Sequence, residues 1–148
     1  MERLLLFRLG DEVYALEVAQ VQEVVESPRY HYIPRAPATF AGAINFHGSI
    51  VPVLDLAPFL GCAGSGRDGR VIVLPAEVCA LGLAVTAVQR IVPLDGETLL
   101  PLAKEGRAEG CCRAVFDSPW GEVNLLDVDR LLAGLEKSVK ETGGDHGA

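Results

Sequence analysis

Leu16-Glu17-Val18-Ala19-Gln20-Val21-Gln22-Glu23-Val24-Val25 has a double later in the chain, at Leu83-Ala84-Val85-Thr86-Ala87-Val88-Gln89-Arg90-Ile91-Val92. Leu16, Val18, Val21, Gln22, Val24 and Val25 face Leu83, Val85, Val88, Gln89, Ile91 and Val92, each pair 67 positions apart. A second match lies downstream. Leu54-Asp55-Leu56 with Phe59-Leu60 aligns with Leu126-Asp127-Val128 with Leu131-Leu132, 72 positions apart. The growth in offset fits a longer connection over 95–110. Agreement of spacing and residue type at two separate places reads as an internal duplication, with halves at about 1–66 and 67–135.

Val-rich runs punctuated by Gly, Pro and Asp favour strands. Strands are expected at 3–9, 13–16, 21–25, 42–46, 50–54, 70–74, 78–85, 88–93, 111–117 and 122–126. Gly10-Asp11, His47-Gly48-Ser49 and Pro119-Trp120-Gly121 have hairpin-turn composition. Pro28, Pro34 and Pro37 make 27–37 an extended connector. Pro52 inside the 50–54 strand predicts an edge or a bulge. Asp55 opens a helical turn to Leu60, and 61–69 reads as a flexible loop. Asp127 is a candidate cap for a helix over about 127–140 with Val128, Leu131, Leu132, Leu135 and Val139 on its apolar face. Residues 141–148 carry almost nothing to bury and are expected to form a disordered tail. Each half thus holds five strands and a short helical closure. Five short twisted strands tend to close on themselves. The expected fold is therefore mainly β: two five-stranded SH3-like β-barrels packed on a shared core, in one domain over 1–140, with short helices and a C-terminal helix.

Composition narrows the function. The chain has 148 residues and is 49% hydrophobic, enough for a full core without staples. A net charge of −7 and the absence of a Lys/Arg cluster argue against nucleic acid as a partner. No apolar run reaches the roughly 20 residues of a membrane span. Met1-Glu2-Arg3-Leu4 lacks the features of a signal peptide, so a cytoplasmic location is expected. Cys62, Cys79, Cys111 and Cys112 form no C-x-x-C pair and read as reduced, half-buried thiols.

Catalytic patterns are missing. Asp127 with Asp129, Asp11-Glu12, and Glu23 with Glu26 read as turns, caps or solvated faces. His31, His47 and His146 belong to no nucleophile signature. No ligand-like metal spacing appears, and Gly64-Ser65-Gly66 lacks the Lys and helix of a phosphate loop. Neither a cofactor nor a metal is expected, and neither is an enzyme. What remains is surface: the hairpin over 42–56, and valines 21–25, which either form an exposed apolar strip or fill the barrel interior.

Several blocks resemble the CheW-like domain. They are Phe7-x-Leu9-Gly10-Asp11-Glu12-x-Tyr14-Ala15-Leu16; Val21-Gln22-Glu23-Val24-Val25; Ile33-Pro34-x-x-Pro37; Gly42-x-Ile44-Asn45-x-x-Gly48-x-Ile50-Val51-Pro52-Val53-Leu54-Asp55-Leu56; and, in the second half, Leu81-Gly82-Leu83-x-Val85-x-x-Val88 with Leu125-Leu126-Asp127-Val128. The block at 42–56 is the most specific, and together they cover about residues 3–135. The resemblance implies an adaptor that joins a CheA-type histidine kinase to methyl-accepting chemoreceptors in chemotaxis-like signalling. It implies partner contacts at Val21, Glu23, Gly42, Asn45 and His47, and structural roles for Gly48, Pro52, Asp55 and Gly82. The chain departs from the family pattern at three places. His47 stands where Arg is usual at the hairpin tip, Ala57 where Arg often follows the Asp-Leu pair, and Thr86 where Asp is usual. Two other functions stay in view: an adaptor of a chemosensory pathway unrelated to chemotaxis, and a small-ligand-binding β-barrel, which would need a cavity between the barrels.

Overall fold

The chain is described by a computed structural model over residues 2–62, 69–104 and 110–145, with side chains described as far as 139. Eleven strands and two α-helices follow in order: β1 (Arg3–Leu9), β2 (Glu12–Glu17), β3 (Glu23–Glu26), β4 (Phe40–Phe46), β5 (Ser49–Asp55), α1 (Leu56–Phe59), β6 (Arg70–Val73), β7 (Gly82–Ala84), β8 (Ala87–Pro93), β9 (Leu100–Leu102), β10 (Cys112–Ser118), β11 (Gly121–Leu126) and α2 (Val128–Asp145). A single 3-10 turn, Val18–Gln20, lies between β2 and β3.

The strands form two sheets, ordered β8-β1-β2-β11-β10-β9 and β3-β6-β7-β5-β4. Neither order follows the chain. β1 and β2 leave the first half to join the second half's sheet, and β6 and β7 make the reciprocal move. The repeat is nevertheless reproduced pair by pair. Leu5 opposes Leu16, and Ile72 opposes Leu83. Leu4 opposes Val92, and Val71 opposes Val25. Two parallel ladders sew the exchanged strands in, with Ala15 beside Leu125 and Gly82 beside Val53. Even the register shift between Phe40 and Gly42 recurs 72 residues on, between Cys112 and Ala114.

The expectation of closed barrels needs correction. The ladders end at free edges: β8 and β9 in one sheet, β3 and β4 in the other. The Pro-rich connector between β3 and β4 explains one opening. It pairs with β4 through one β-bridge, His31 to Ala43, because prolines there cannot donate to a ladder. In the other sheet β9 has only three residues, with Pro101 at its centre.

Pro52 sits on β5, which is an inner strand. Ala43 spends both backbone groups on His31, so Ala43 and Pro52 are a non-hydrogen-bonded pair. The missing Pro52 donor therefore points away from β4. On that side β7 begins only at Gly82, opposite Val53. The proline is at a local edge of an interior strand.

Three apolar clusters hold the sheets. The central one joins Leu5, Phe7, Tyr14 and Leu16 of one sheet to Leu54, Ile72 and Leu83 of the other, sealed by Leu56 of α1 and Val128, Leu131 and Leu135 of α2. Each sheet also covers a cluster of its own: Leu4, Leu6, Val92 and Phe116 in one, Ile44, Val51, Val71 and Ala84 in the other. β1 is thus buried on both faces, which accounts for its unbroken Leu4-Leu5-Leu6-Phe7 run.

Other boundaries shifted. The strand expected over 78–85 shrinks to Gly82–Ala84, because Pro75 accepts from Val78 and Cys79 in a turn. The strand expected over 21–25 begins at Glu23. α2 is helical to Asp145, beyond the boundary expected at 140, and 146–148 lies outside the described residues. So do residues 63–68, most of the expected flexible loop.

Candidate partner-binding surface

The hairpin of β4 and β5 turns on two residues, between the paired Phe46 and Ser49. His47 (φ +49°) and Gly48 (φ +86°) are both left-handed, the arrangement whose twist matches that of the flanking strands. The Gly48 N–H donates to Asn45 Oδ1 at 2.9 Å, which fixes Asn45 at the tip. The imidazole of His47 meets the Phe46 ring edge-on, with centroids 4.4 Å apart. Its Nε2 lies 3.2 Å from Glu23 Oε1 on β3. Residues 24 apart in sequence are so brought together at an exposed corner, with side chains 72% and 46% accessible.

The other expected contact residues divide. Val21 is half-buried and packs against the central cluster, as do Val18 and Val24. Val25 packs against the smaller cluster under its own sheet. The valines therefore mostly fill the interior, and the exposed strip is reduced to the outer parts of these side chains. Gly42 is buried. A Cβ there would meet the His31 carbonyl oxygen at 2.8 Å, and its φ is +142°. Gly42 lets the connector lie against β4.

The positions expected to be structural are explained locally. A Cβ on Gly82 would come within 2.7 Å of Val71 Cγ1 and 3.2 Å of Val53 Cγ2. Asp55 precedes α1 without a side-chain cap, and its N–H donates to Thr39 O at 2.7 Å. Asp127, its repeat partner, donates to Cys111 O at the same distance and does cap its helix, Oδ1 accepting from the Arg130 N–H at 3.1 Å. The departures have places too. Ala57 lies in the central cluster. Thr86 Oγ1 accepts from the Gly10 N–H at 2.9 Å and so ties the β1–β2 turn to the β7–β8 junction.

The repeat generates a second corner. Arg90 stands where Glu23 stands in the first half, and the Pro119-Trp120 turn replaces His47-Gly48. Here the contact is a guanidinium 4.6 Å above the Trp120 ring. Ile91 beside it is 52% exposed.

The sequence did not reveal the groove beside the first corner. It is about 320 Å³, lined by Gln22, Phe46, His47, Ser49, Val51, Val73 and Glu77 among others. One wall is the turn after β6, of which only 78–80 falls within the strand expected over 78–85. The Phe46 side chain could have been found from its place in the alternation with Ile44. No signal in the sequence places Glu77.

Among the described residues no set of three His, Cys, Asp or Glu side chains is disposed to hold a metal. The four cysteines are free thiols. Among the described residues, side chains of the central cluster pack between the two sheets. No helix among the described residues is long and apolar enough to cross a membrane.

Comparisons with known proteins agree with this architecture. The chain is 31% identical over 100 residues to a probable chemotaxis protein CheW of Rhizobium etli, a match spanning 66% of this chain and 64% of that protein. It is 30% identical over 142 residues to the chemotaxis protein CheW of Klebsiella aerogenes, spanning 93% and 86%. The crystal structure of the scaffolding protein TtCheW from Thermoanaerobacter tengcongensis superposes with a TM-score of 0.72 at 25% identity, over 85% of this chain and 88% of that one. The model of the CheW-like domain matches residues 3–136, and the chain belongs to that family.

Proposed function

We propose that this chain is a non-enzymatic cytoplasmic adaptor that couples a CheA-type histidine kinase to methyl-accepting chemoreceptors. Family membership supports the scaffold role. The observation that carries the two-partner reading is the repeated corner. One fold presents Val21 just before β3 and Glu23 on it and, through the duplication, Val88 and Arg90 on β8. Both strands are sheet edges, and the two corners differ in chemistry, one carboxylate–imidazole and one guanidinium–indole. An adaptor needs two addressable faces, and a duplicated domain with diverged corners supplies them. Val21, Glu23, Asn45 and His47 are the proposed contacts of the first face.

The test is reconstitution. A CheA-type kinase and the cytoplasmic fragment of a chemoreceptor should form a ternary complex only with this chain present. Kinase autophosphorylation should then become receptor-dependent, and Glu23→Arg should weaken the complex without changing the fold. Failure to join the two, or turnover of a substrate by the pure chain, would overturn the reading. His47 favours a second version, an adaptor for a chemosensory pathway other than chemotaxis, since it replaces the Arg usual at the tip. Binding only to a kinase and receptor of that other kind would select it.

A further inference from the structure

We infer that the groove beside the hairpin tip takes up a cationic side chain, Lys or Arg flanked by an aliphatic residue, from a partner segment. The inference rests on the adaptor reading and names what one of its faces binds.

The walls of the groove are aliphatic: Val51, Val73, Leu74, Ala76 and Ala80. Its polar lining is Gln22, Ser49, His47 and the carboxylate of Glu77. His47 joins this lining to a second carboxylate, Glu23, at 3.2 Å. The charged groups on the elements packed here are Glu23 and Glu26 on β3, Asp55 at the far end of β5, Arg70 on β6 and Glu77 in the turn after β6. Arg70 is at the far end of the β3–β6 ladder, where it opposes Glu26 and lies 3.5 Å from it. No Lys or Arg is among the residues lining the groove. An apolar trough with carboxylates at its mouth is complementary to an amphipathic cation, whose aliphatic stem can lie along the valines while its head stays near water. A volume of about 320 Å³ suits a side chain or two, not a globular domain.

The experiment uses the full chain and a terminally blocked Leu-Arg-Leu peptide, followed by amide chemical shifts. It involves neither kinase nor receptor, so failure of the adaptor reading would leave its result intact. At pH 7.5 the peptide should perturb Gln22, Ser49, Val73, Ala76 and Glu77. Leu-Gln-Leu should bind distinctly more weakly. In Glu77→Gln the Leu-Arg-Leu affinity should fall roughly threefold, within the range of an exposed charge pair, and His47→Arg should weaken it as well. Shifts elsewhere than the groove, equal binding of the two peptides, or an unchanged Leu-Arg-Leu affinity in Glu77→Gln would each overturn the inference.

Discussion

At the scale of single residues, Gly82 and Cys112 carry more of the fold than their chemistry suggests. Gly82 is where β7 slides beside β5, and the neighbouring valines leave no room for a methyl group: the closest, Val71 Cγ1, would be 2.7 Å away. Gly82→Ala should cost about 1–3 kcal/mol in urea unfolding, the usual cost of overpacking. Trimming the obstructing side chain should recover part of it, so Val71→Ala and Gly82→Ala should be less than additive. Gly48 is the contrast. Nothing lies within 4 Å of a Cβ there, so any cost of Gly48→Ala comes from its positive φ alone. Cys112 is buried at the start of β10. Burial, first, and then the charges of Cys111, Cys62 and Glu12 push its thiol from 9.0 up to about 12, with Arg130 opposing. The folded state then holds this proton more tightly than the unfolded state does. The stabilisation is complete below pH 9 and is lost as pH rises from 9 towards 12. Burial raises the Tyr14 hydroxyl in the same sense. Unfolding free energy measured at pH 7, 9 and 10.5 should decline over the last interval. In Cys112→Ala the decline should be shallower, whatever that variant loses at neutral pH. An equal decline in both proteins would mean that this thiol does not carry the effect.

At the scale of elements, legibility followed the range of the interactions that decide each one. The β4–β5 hairpin was readable because its turn demands two left-handed residues, and Gly48 beside a polar neighbour advertises that locally. The start of α2 was readable because Asp127 caps it within three residues. Its buried face was readable from the spacing of Val128, Leu131 and Leu135. β9 was not readable. It is three residues with Pro101 in the middle, and it pairs with Val115, Phe116 and Asp117, so only tertiary pairing makes it a strand. The turn after β6 was hidden for the opposite reason. Val78 through Val85 has strand composition, yet the Val78 and Cys79 N–H groups close onto Pro75, and Val78 stays 44% exposed. The groove followed the turn out of sight. Of the proposed contact residues, Glu23 and His47 are singled out by the family resemblance, but their 3.2 Å approach across two strands is a fact of the sheet alone.

At the scale of the molecule, the duplication makes a prediction that neither half taken alone would suggest. A repeat usually invites the idea of two units folding side by side. Here the first two strands of each half have crossed over. A fragment ending at Gly66 would contain β1 and β2 without β8 and β11, the neighbours on either side of that pair. It would contain β3 without β6, its hydrogen-bonded neighbour, and β5 without β7. Its apolar residues would fare no better. The central cluster draws Leu5, Phe7, Tyr14 and Leu16 from the first half and Ile72, Leu81, Leu83 and Leu131 from the second. Removing either set exposes the other. The full chain should therefore unfold in one cooperative transition, with tryptophan fluorescence from Trp120 in the second half and far-ultraviolet circular dichroism giving coincident curves. The 1–66 fragment should show the narrow amide dispersion of an unfolded chain. Mixing it with a 67–148 fragment should restore dispersion, because each supplies the two strands the other lacks. A 1–66 fragment that folds alone, or a chain whose two probes report separate transitions, would show that the crossover does not couple the halves.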